Sequence, residues 1–278
     1  MNGSTVVITG ATSGIGEVAA ETLARAGARV LFVARSEAKA RALVSRLIRA
    51  NPDAAHDFVV ADLSVLTEMK SAARALIAKA TKVDMLINNA GAIFDRREVT
   101  ADGLERTFAV NHMAYFVETE LLLPILSPQA RIVSTASAAH AFARLDFADL
   151  QTVQGYSAFG AYGRSKLCNI LWTRELARRL SATGVTANCV HPGGVNTGFG
   201  DNATGWLKSV MALGKRFMIT PTQGADTLIW LATSPDVAGR TGGYWSRRQL
   251  ITPSAAARDP EAALRLWRAS ADIAGLPA

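Results

Sequence analysis

Short runs of β-branched and apolar residues alternate along the chain with longer stretches whose apolar positions recur at helical spacing. The first four runs predict strands over 5–9, 29–34, 58–61 and 84–88. The stretches that follow them predict helices over 13–26, 37–50, 66–80 and 103–123. This alternation is typical of βαβ units that build a parallel sheet.

The second half of the chain continues the pattern with one interruption. Strands are predicted over 131–135 and 186–190, and helices are predicted from Tyr162 to about residue 180, from Thr220-Pro221 onward, and over 260–273. Residues 138–161 and 194–220 carry no strong period. Linkers, repeats and low-complexity segments are absent from the sequence. It therefore predicts one domain over residues 1–278, of the α/β class, with a Rossmann-type doubly wound parallel sheet flanked by helices.

Composition and charge exclude several classes of protein. The net charge is +7, from 30 basic and 23 acidic residues, but the basic positions are dispersed and form no aromatic-interleaved stripe, so a nucleic-acid partner is not expected. The longest apolar runs are far too short for a membrane span, and the amino terminus lacks a signal peptide, so we expect a cytoplasmic protein with no integral membrane segment. Cys168 and Cys189 lack metal-ligand spacing and predict buried free thiols rather than a metal site.

The turn after the first predicted strand is rich in glycine and leads directly into a helix. Glycines at such a turn let the backbone approach a pyrophosphate, and the helix amino terminus supplies free amides. A tight connection without a ligand is the alternative, but the position at the start of a βαβ chain favours a dinucleotide. The candidate cofactor residues are Gly10, Thr12, Ser13, Gly14, Ile15 and Gly16.

The end of the second predicted strand indicates which dinucleotide is bound. An acidic residue there binds the ribose of NAD, whereas an arginine accommodates the 2′-phosphate of NADP. The sequence has Arg35 at this point, and the next acid is Glu37. A plain surface arginine is the alternative. We predict NADP(H), with Arg25, Lys39 and Arg41 as residues that could assist.

Tyr162 and Lys166 are spaced so that both project from one face of a helix. A cation beside a phenol favours the phenolate, which predicts a lowered pKa for Tyr162 and a role in proton transfer. Taken alone, the pair is better explained as a surface tyrosine with a solvated lysine. The cofactor turn upstream is what gives the pair chemical meaning.

These motifs, taken in order, resemble the short-chain dehydrogenase/reductase family over roughly residues 4–250. The cofactor turn, Asp62-Leu63, the Asn88-Asn89-Ala90-Gly91 motif, Asn111, Ser137, the Tyr162-x-x-x-Lys166 pair and Pro192-Gly193 all match the family pattern. The resemblance implies further cofactor contacts from Asp62, Leu63, Asn89, Ala90, Gly91, Tyr162, Lys166, Pro192, Gly193, Val195 and Thr197. It also implies a catalytic set of Asn111, Ser137, Tyr162 and Lys166.

The resemblance assigns a role to each member of this set. Tyr162 is the expected general acid in reduction and general base in oxidation, with Lys166 lowering its pKa and holding the nicotinamide ribose. Ser137 is expected to donate a hydrogen bond to the substrate oxygen. Asn111 resembles the residue that anchors a water for the proton relay. Ser134 on the same strand is the alternative serine, but Ser137 occupies the usual position of the motif.

Ser137 and Tyr162 lie 25 positions apart, about twice the usual gap in the family. This longer segment resembles the retinol dehydrogenase-like branch. Members of that branch often carry an N-terminal membrane anchor, which we do not expect here because the chain begins directly at its first strand. Family members are commonly dimers or tetramers, so a homo-oligomer is compatible with the resemblance.

The substrate is predicted from the apolar side chains on the substrate side, over 138–161 and 194–220. The second segment resembles the mobile lid of the family, and Phe142, Phe147, Tyr156 and Phe159 of the first are candidates to line the same cleft, with plain packing as the alternative. We therefore expect a hydride transfer between NADP(H) and a bulky hydrophobic ketone, aldehyde or secondary alcohol. The rival hypothesis is a catalytically silent NADP-binding regulator or scaffold.

Overall fold

The structure is a computed structural model that describes residues 1–194 and 219–278. In this part of the chain the strands form one eight-stranded sheet in the order β3-β2-β1-β4-β5-β6-β7-β8. The pairs from β3 to β7 are parallel and only β8 is antiparallel to its neighbour. The strands are β1 Thr5–Thr9, β2 Arg29–Ala34, β3 Asp57–Val60, β4 Val83–Asn88, β5 Leu126–Thr135, β6 Thr186–Val190, β7 Tyr244–Ser246 and β8 Gln249–Leu250.

The helices that the structure describes cover both faces of this sheet. They are α1 Gly14–Arg25, α2 Glu37–Ala50, α3 Leu66–Lys79, α4 Arg106–Phe108, α5 Ala114–Leu122, α6 Ala158–Arg179, α7 Pro221–Thr233 and α8 Pro260–Ala274. One apolar layer joins the sheet to α1, α2 and α7, and the other joins it to α3, α5, α6 and α8. The predicted doubly wound α/β fold is confirmed.

Two predicted helices differ from the observed ones. The helix that carries Tyr162 was predicted to open at that residue, but it begins at Ala158, where the Ser157 hydroxyl accepts a hydrogen bond from the Gly160 amide. The helix predicted over 103–123 begins at Arg106 and passes through a π-helical turn, Ala109–Met113, between α4 and α5. Such π-helical turns are frequent at functional sites, and this one contains Asn111.

The last two strands were not predicted from the sequence. β7 and β8 are only three and two residues long, and both follow the turn at Gly242-Gly243. Such short runs carry too few positions to display an alternating pattern. β7 completes the parallel sheet beside β6, and β8 pairs with β7 at the open edge.

The long segment before Tyr162 is ordered by polar contacts with the loop that follows β4. The Arg97 guanidinium donates to the carbonyl oxygens of Gln151 and Thr152, at 3.2 and 3.0 Å. The Tyr156 hydroxyl donates to the carbonyl oxygen of Phe94 at 2.7 Å. These bonds hold the second half of the segment against the loop after β4.

The carboxyl-terminal helix α8 packs across α5 and α6. The ring of Trp267 lies edge-on to Phe116 with centroids 5.2 Å apart, and the Arg179 guanidinium lies 4.1 Å from the Trp267 ring centroid. This layer leaves α5 almost wholly buried. Among the described residues, no helix is long and apolar enough to cross a membrane.

Candidate active site

A cleft of about 240 Å³ opens at the carboxyl ends of the parallel strands. The order of the strands reverses between β1 and β4, and ligands of open α/β sheets bind at such a switch point. The residues that line the cleft come from the ends of β1, β4, β5 and β6 and from α6: Gly10, Ser13, Gly14, Ile15, Asn89, Ala90, Gly91, Thr135, Ala136, Ser137, Tyr162, Lys166, Pro192 and Gly193.

One wall of the cleft is the glycine turn between β1 and α1. Gly10 has a φ of +68°, and a Cβ atom at this residue would lie 2.7 Å from the Ala90 Cα. A Cβ atom at Gly16 would lie 2.2 Å from the Gly10 carbonyl oxygen. Ser13 caps α1 with its backbone while its hydroxyl makes no capping hydrogen bond. The turn therefore presents backbone amides and a hydroxyl to the cleft, which suits a phosphate group.

Asn89 holds three strand ends together beneath this turn. Its side-chain amide donates to the Gly10 carbonyl oxygen at 3.3 Å, and its Oδ1 accepts from the Thr135 hydroxyl at 3.2 Å. The Thr9 hydroxyl accepts from the backbone amides of Asn89 and Ala90, at 3.0 and 3.1 Å. These bonds fix the floor of the cleft before any ligand is bound.

Arg35 lies at the end of β2 with its side chain exposed. Within residues 1–194 and 219–278 its guanidinium forms neither a hydrogen bond nor an ion pair. The nearby Glu37 carboxylate accepts from Arg41 at 3.0 Å, so its charge is compensated and Arg41 is engaged. Arg25 is likewise paired with Glu21 at 2.7 Å. Arg35 therefore has a guanidinium available for an anionic group.

The remaining predicted cofactor residues lie outside the lining of the cleft. Thr12 and Gly16 belong to the glycine turn and the start of α1, and Leu63 is buried after β3. The Asp62 carboxylate accepts from the Ser64 amide at 2.9 Å. Val195, Thr197 and most of the predicted lid fall outside the described residues.

The opposite wall of the cleft carries Tyr162 and Lys166 on α6. The Lys166 ammonium lies 5.7 Å from the centroid of the Tyr162 ring and donates to the Thr135 carbonyl oxygen at 2.9 Å. The Asn169 amide donates to the same carbonyl oxygen at 3.2 Å. Lys166 is only 2% exposed. Its ammonium is thus held at the bottom of the cleft, between β5 and the tyrosine.

Burial dominates the acidities of this pair. It lowers the pKa of Lys166 to about 7 and raises the pKa of Tyr162 to about 12, while a hydrogen bond with the Ser137 hydroxyl opposes the latter rise. The sequence predicted a lowered pKa for Tyr162, and the direction in this structure is the opposite one. Burial raises the pKa of the phenol, and it also disfavours the charged form of Lys166 that would stabilise a phenolate. In addition, the Lys166 ammonium donates to the Thr135 carbonyl oxygen of β5.

Ser137 and Ser134 have different surroundings. Ser137 lines the cleft, and its hydroxyl is hydrogen-bonded to Tyr162 and accepts from the Ala139 amide at 3.2 Å. Ser134 is fully buried, and its hydroxyl lies 3.5 Å from the Asn88 side-chain amide that donates to it. The geometry places Ser137, and not Ser134, beside the tyrosine.

Asn111 is fully buried, and its side chain holds the loop after β4 against α6. Its Oδ1 accepts from the Ala92 amide at 2.8 Å, and its Nδ2 donates to the Ala92 carbonyl oxygen at 2.9 Å and to the Ser165 hydroxyl at 3.0 Å. Ser165 in turn donates to the Tyr162 carbonyl oxygen at 2.7 Å. Both amide hydrogens of Asn111 are therefore used within the protein, so its side chain has none left to donate to a water.

Two residues near this wall were not predicted from the sequence as part of the site. Thr135 was predicted only as the last residue of a strand, yet its carbonyl oxygen receives Lys166 and its hydroxyl binds Asn89. Tyr115 on α5 is fully buried, and its ring centroid lies 5.5 Å from the Lys166 ammonium. Neither residue belongs to a short motif, so only their position in the fold reveals them.

The four aromatic residues proposed for the cleft separate into two groups. The Tyr156 hydroxyl is tied to Phe94, and the Phe147 ring packs beneath Arg265 of α8 with 4.3 Å between guanidinium and ring centroid. Phe142 and Phe159 are exposed by 82% and 54%, with their ring centroids 6.3 Å apart. Phe142 ends the short helical turn that begins after Ser137, and Phe159 lies one turn before Tyr162. We call these two rings the aromatic pair.

Known proteins have sequences and folds similar to those of this chain. Residues 4–208 match the short chain dehydrogenase family. Retinol dehydrogenase 12 from Mus musculus is 40% identical over 277 residues, which cover 99% of this chain and 87% of that protein. A crystal structure of a protein from Mycobacterium paratuberculosis has a TM-score of 0.80 at 30% identity and covers 99% of this chain and 94% of its own.

A short chain dehydrogenase from Shigella flexneri 2a str. 301, whose structure was solved in complex with NADP, is also similar. Its TM-score is 0.69 at 25% identity, and the match covers 90% of this chain and 98% of that one. The fold and the cleft define a dinucleotide-binding α/β protein. The chain belongs to the short-chain dehydrogenase/reductase family, with retinol dehydrogenases among its relatives, and it is an oxidoreductase of that family.

Proposed function

We propose that this protein is an NADP(H)-dependent oxidoreductase that interconverts a bulky hydrophobic ketone or aldehyde and the corresponding alcohol. The observation that carries the proposal is the convergence of Ser137, Tyr162 and Lys166 on the cleft wall that faces the glycine turn. A dinucleotide fits the residues present, because Gly10 and Gly16 leave room for a close approach of the backbone. Ser13 and the amides of α1 would hold the pyrophosphate, and Lys166 the ribose.

The bound nicotinamide supplies the hydride in reduction and accepts it in oxidation. The protein's task is to transfer one proton at the substrate oxygen. In reduction, the Tyr162 hydroxyl donates its proton to this oxygen, so that the carbonyl becomes an alcohol. In oxidation, the Tyr162 phenolate takes the alcohol proton. Ser137 donates a hydrogen bond to the same oxygen and stabilises the negative charge that develops on it.

Two features support NADP(H) over NAD(H). Arg35 presents an exposed guanidinium at the end of β2 that has no partner among the described residues, at the place where a 2′-phosphate is recognised in such folds. The similar dehydrogenase from Shigella flexneri was solved with NADP. A 2′-phosphate and a guanidinium form a charge-assisted pair, which favours the phosphorylated cofactor.

Two other features support a bulky apolar substrate. The aromatic pair exposes two phenyl rings on the helical turn that follows Ser137 and on the first turn of the helix that carries Tyr162, and exposed apolar rings of this kind often mark a ligand surface. The retinol dehydrogenases among the relatives are named for a long apolar alcohol. A retinoid is therefore one member of the substrate class that we propose.

The proposal is tested by following NADPH consumption over a panel of hydrophobic ketones and aldehydes, with NADH run in parallel. We expect turnover with NADPH and a loss of about 1,000-fold or more in the Tyr162→Phe variant, since the phenyl ring carries no proton. Tyr156→Phe is the matched control, because the Tyr156 hydroxyl donates to the Phe94 carbonyl oxygen in the neighbouring loop and the residue does not line the cleft. Full turnover by Tyr162→Phe would contradict the mechanism, and an inert parent protein would favour a regulator that binds NADP.

A further inference from the structure

Two histidines contact the same peptide group directly after Ser137. The carbonyl oxygen of Ser137 lies 2.7 Å from Nδ1 of His140. The amide of Ala138 donates to Nδ1 of His191 at 3.3 Å. The Ser137 carbonyl and the Ala138 amide are the two polar ends of one planar peptide unit. One imidazole therefore holds each end of this unit.

The hydrogen-bond partners define the tautomer of each ring. Nε2 of His140 accepts from the backbone amide of Ser254 at 3.2 Å, so the ring hydrogen must be on Nδ1, where it is donated to Ser137. Nδ1 of His191 accepts from the amides of Ala138 and Gly193, the latter at 3.4 Å, so its hydrogen must be on Nε2. Both rings are neutral in this arrangement, and burial lowers the pKa of each.

We propose that His140 and His191 are positioning residues that lock the peptide plane after Ser137 and thereby aim the Ser137 hydroxyl at Tyr162 and the substrate oxygen. Rotation of this plane changes the ψ angle of Ser137, which is 153° here. It would also displace the Ala139 amide that donates to the Ser137 hydroxyl. A hydroxyl that moves by about 1 Å relative to the reacting atoms costs an enzyme up to roughly 100-fold in rate.

The same contacts connect Ser137 with two distant segments. Through His191 the peptide is linked to Gly193, which lines the cleft on the cofactor side. Through His140 it is linked to Ser254, in the segment that follows β8. The His140 ring is 3% exposed and stands edge-on to Tyr244 with centroids 5.1 Å apart. The proposal rests on the proposed function, because it assigns a role in aiming a residue of that site.

Substitutions at His140 can remove one of its two hydrogen bonds, to Ser137 or to Ser254, and keep the other. In His140→Asn the side-chain amide replaces Nδ1 and can still donate to Ser137, while the bond to Ser254 is lost. In His140→Gln the amide oxygen reaches the position of Nε2 and can still accept from Ser254, while the bond to Ser137 is lost. A purely structural histidine that anchors the carboxyl-terminal segment would tolerate glutamine better than asparagine. A positioning residue for Ser137 shows the opposite order.

The kinetic test measures kcat and KM for NADPH on any substrate that the wild type reduces. We expect a kcat within about threefold of the wild type for His140→Asn and a loss of about 10-fold to 100-fold for His140→Gln, with little change in KM for NADPH. In His191→Asn the side-chain oxygen can still accept from the Ala138 amide, whereas His191→Leu has no acceptor. We therefore expect a higher kcat for His191→Asn than for His191→Leu. Equal rates for the two His140 variants, or a faster His140→Gln, would overturn the proposal.

His56 provides the matched control. It is 7% exposed, its Nδ1 accepts from the Val30 amide at 3.0 Å, and its Nε2 lies 3.2 Å from the Asn51 carbonyl oxygen. It therefore bonds to the main chain through both nitrogens, as His140 does, but beside the opposite ends of the strands. His56→Asn and His56→Gln should lower the thermal stability and leave kcat unchanged.

A second readout needs no turnover and keeps this proposal distinct from the proposed function. Nitrogen-15 NMR of the imidazole rings, assigned through the single variants of the four histidines, reports each tautomer directly. We expect the hydrogen on Nδ1 for His140 and on Nε2 for His191 at neutral pH, and faster exchange of the Ala138 amide hydrogen in His191→Leu. A protonated ring or the other tautomer at either histidine would contradict this proposal. So would an unchanged exchange rate of the Ala138 amide hydrogen in His191→Leu, even if no substrate is found.

Discussion

The two walls of the cleft are built in different ways. The cofactor wall consists of a backbone turn and the side chain of Asn89, and close contacts leave no room for a change at Gly10 or Gly16. On the substrate side, the aromatic pair lies on the short helical turn after Ser137 and on the first turn of α6, with both rings mostly exposed and their centroids 6.3 Å apart. A ligand common to a whole family requires the first kind of wall. A wall of exposed side chains can change between related proteins without disturbing the fold.

Of the changes that test this difference between the walls, a substitution at Gly16 should have the largest effect, and it should act on NADPH affinity. A methyl group there would lie 2.2 Å from the Gly10 carbonyl oxygen and 2.6 Å from the Asn89 amide, so the Gly16→Ala turn must shift. We expect the affinity for NADPH, measured by fluorescence titration, to fall about 100-fold or more, because the backbone no longer meets the pyrophosphate.

Gly103→Ala is the control for this change. Gly103 has a φ of +79°, but a Cβ atom there meets nothing within 4 Å. Alanine at this residue should cost about 1 kcal/mol of stability and leave NADPH affinity intact. If Gly16→Ala bound NADPH normally, the cofactor wall would be less constrained than we infer.

Arg35→Ala should have the next largest effect. Loss of one charge-assisted pair with the 2′-phosphate corresponds to about 1.5–3 kcal/mol, or roughly 10-fold to 100-fold in the ratio of kcat/KM for NADPH to that for NADH. Arg25→Ala is the matched control, because Arg25 already pairs with Glu21. A wild-type protein that prefers NADH would remove the basis of this prediction.

Truncation of the aromatic pair should have a smaller and more selective effect. Phe142→Ser and Phe159→Ser each remove an exposed ring, so we expect KM for a bulky apolar substrate to rise about 10-fold and KM for a small aliphatic aldehyde to stay constant. Val153→Ser, at a residue of the same segment that is 65% exposed, is the control. Equal effects on both substrates would mean that the pair supports the fold rather than the ligand.

The smallest kinetic effect is expected at Glu118. A substitution there should change the stability of the protein and leave its activity unchanged. Burial raises the pKa of this carboxyl from 4.5 to about 8, and neither of its oxygens has a hydrogen-bond partner among the described residues. Between these two pKa values the unfolded chain binds fewer protons than the folded one, so this group makes stability fall as pH rises from about 4.5 to about 8.

Glu118→Gln removes this titration. We expect the variant to exceed the wild type by about 4 kcal/mol in unfolding free energy at pH 8 and by about 1 kcal/mol at pH 5, with kcat unchanged. Denaturant unfolding at both values of pH measures the difference. The same stability difference at both values would show that Glu118 is not protonated in the native state.

Short motifs were easier to interpret from the sequence than the aromatic residues of the long segment before Tyr162. The glycine turn and the Tyr162–Lys166 spacing depend on neighbours in sequence, so a short motif contains most of the information. In contrast, Tyr156 and Phe147 were grouped with Phe142 and Phe159 because all four are aromatic residues of one segment. Their separation depends on Phe94 and Arg265, which belong to other parts of the chain.

The sequence by itself determined the alternation of strands and helices, the doubly wound fold and the family, because hydrophobic periodicity and short motifs act locally. Only the tertiary structure decided that Thr135 receives Lys166 across 31 positions and that His191 reaches Ala138 across 53. It also reversed the expected direction of the Tyr162 pKa, since that direction depends on how completely the surrounding chain excludes water. Hydrogen bonds and burial of this kind arise from residues that meet only after the sheet has formed.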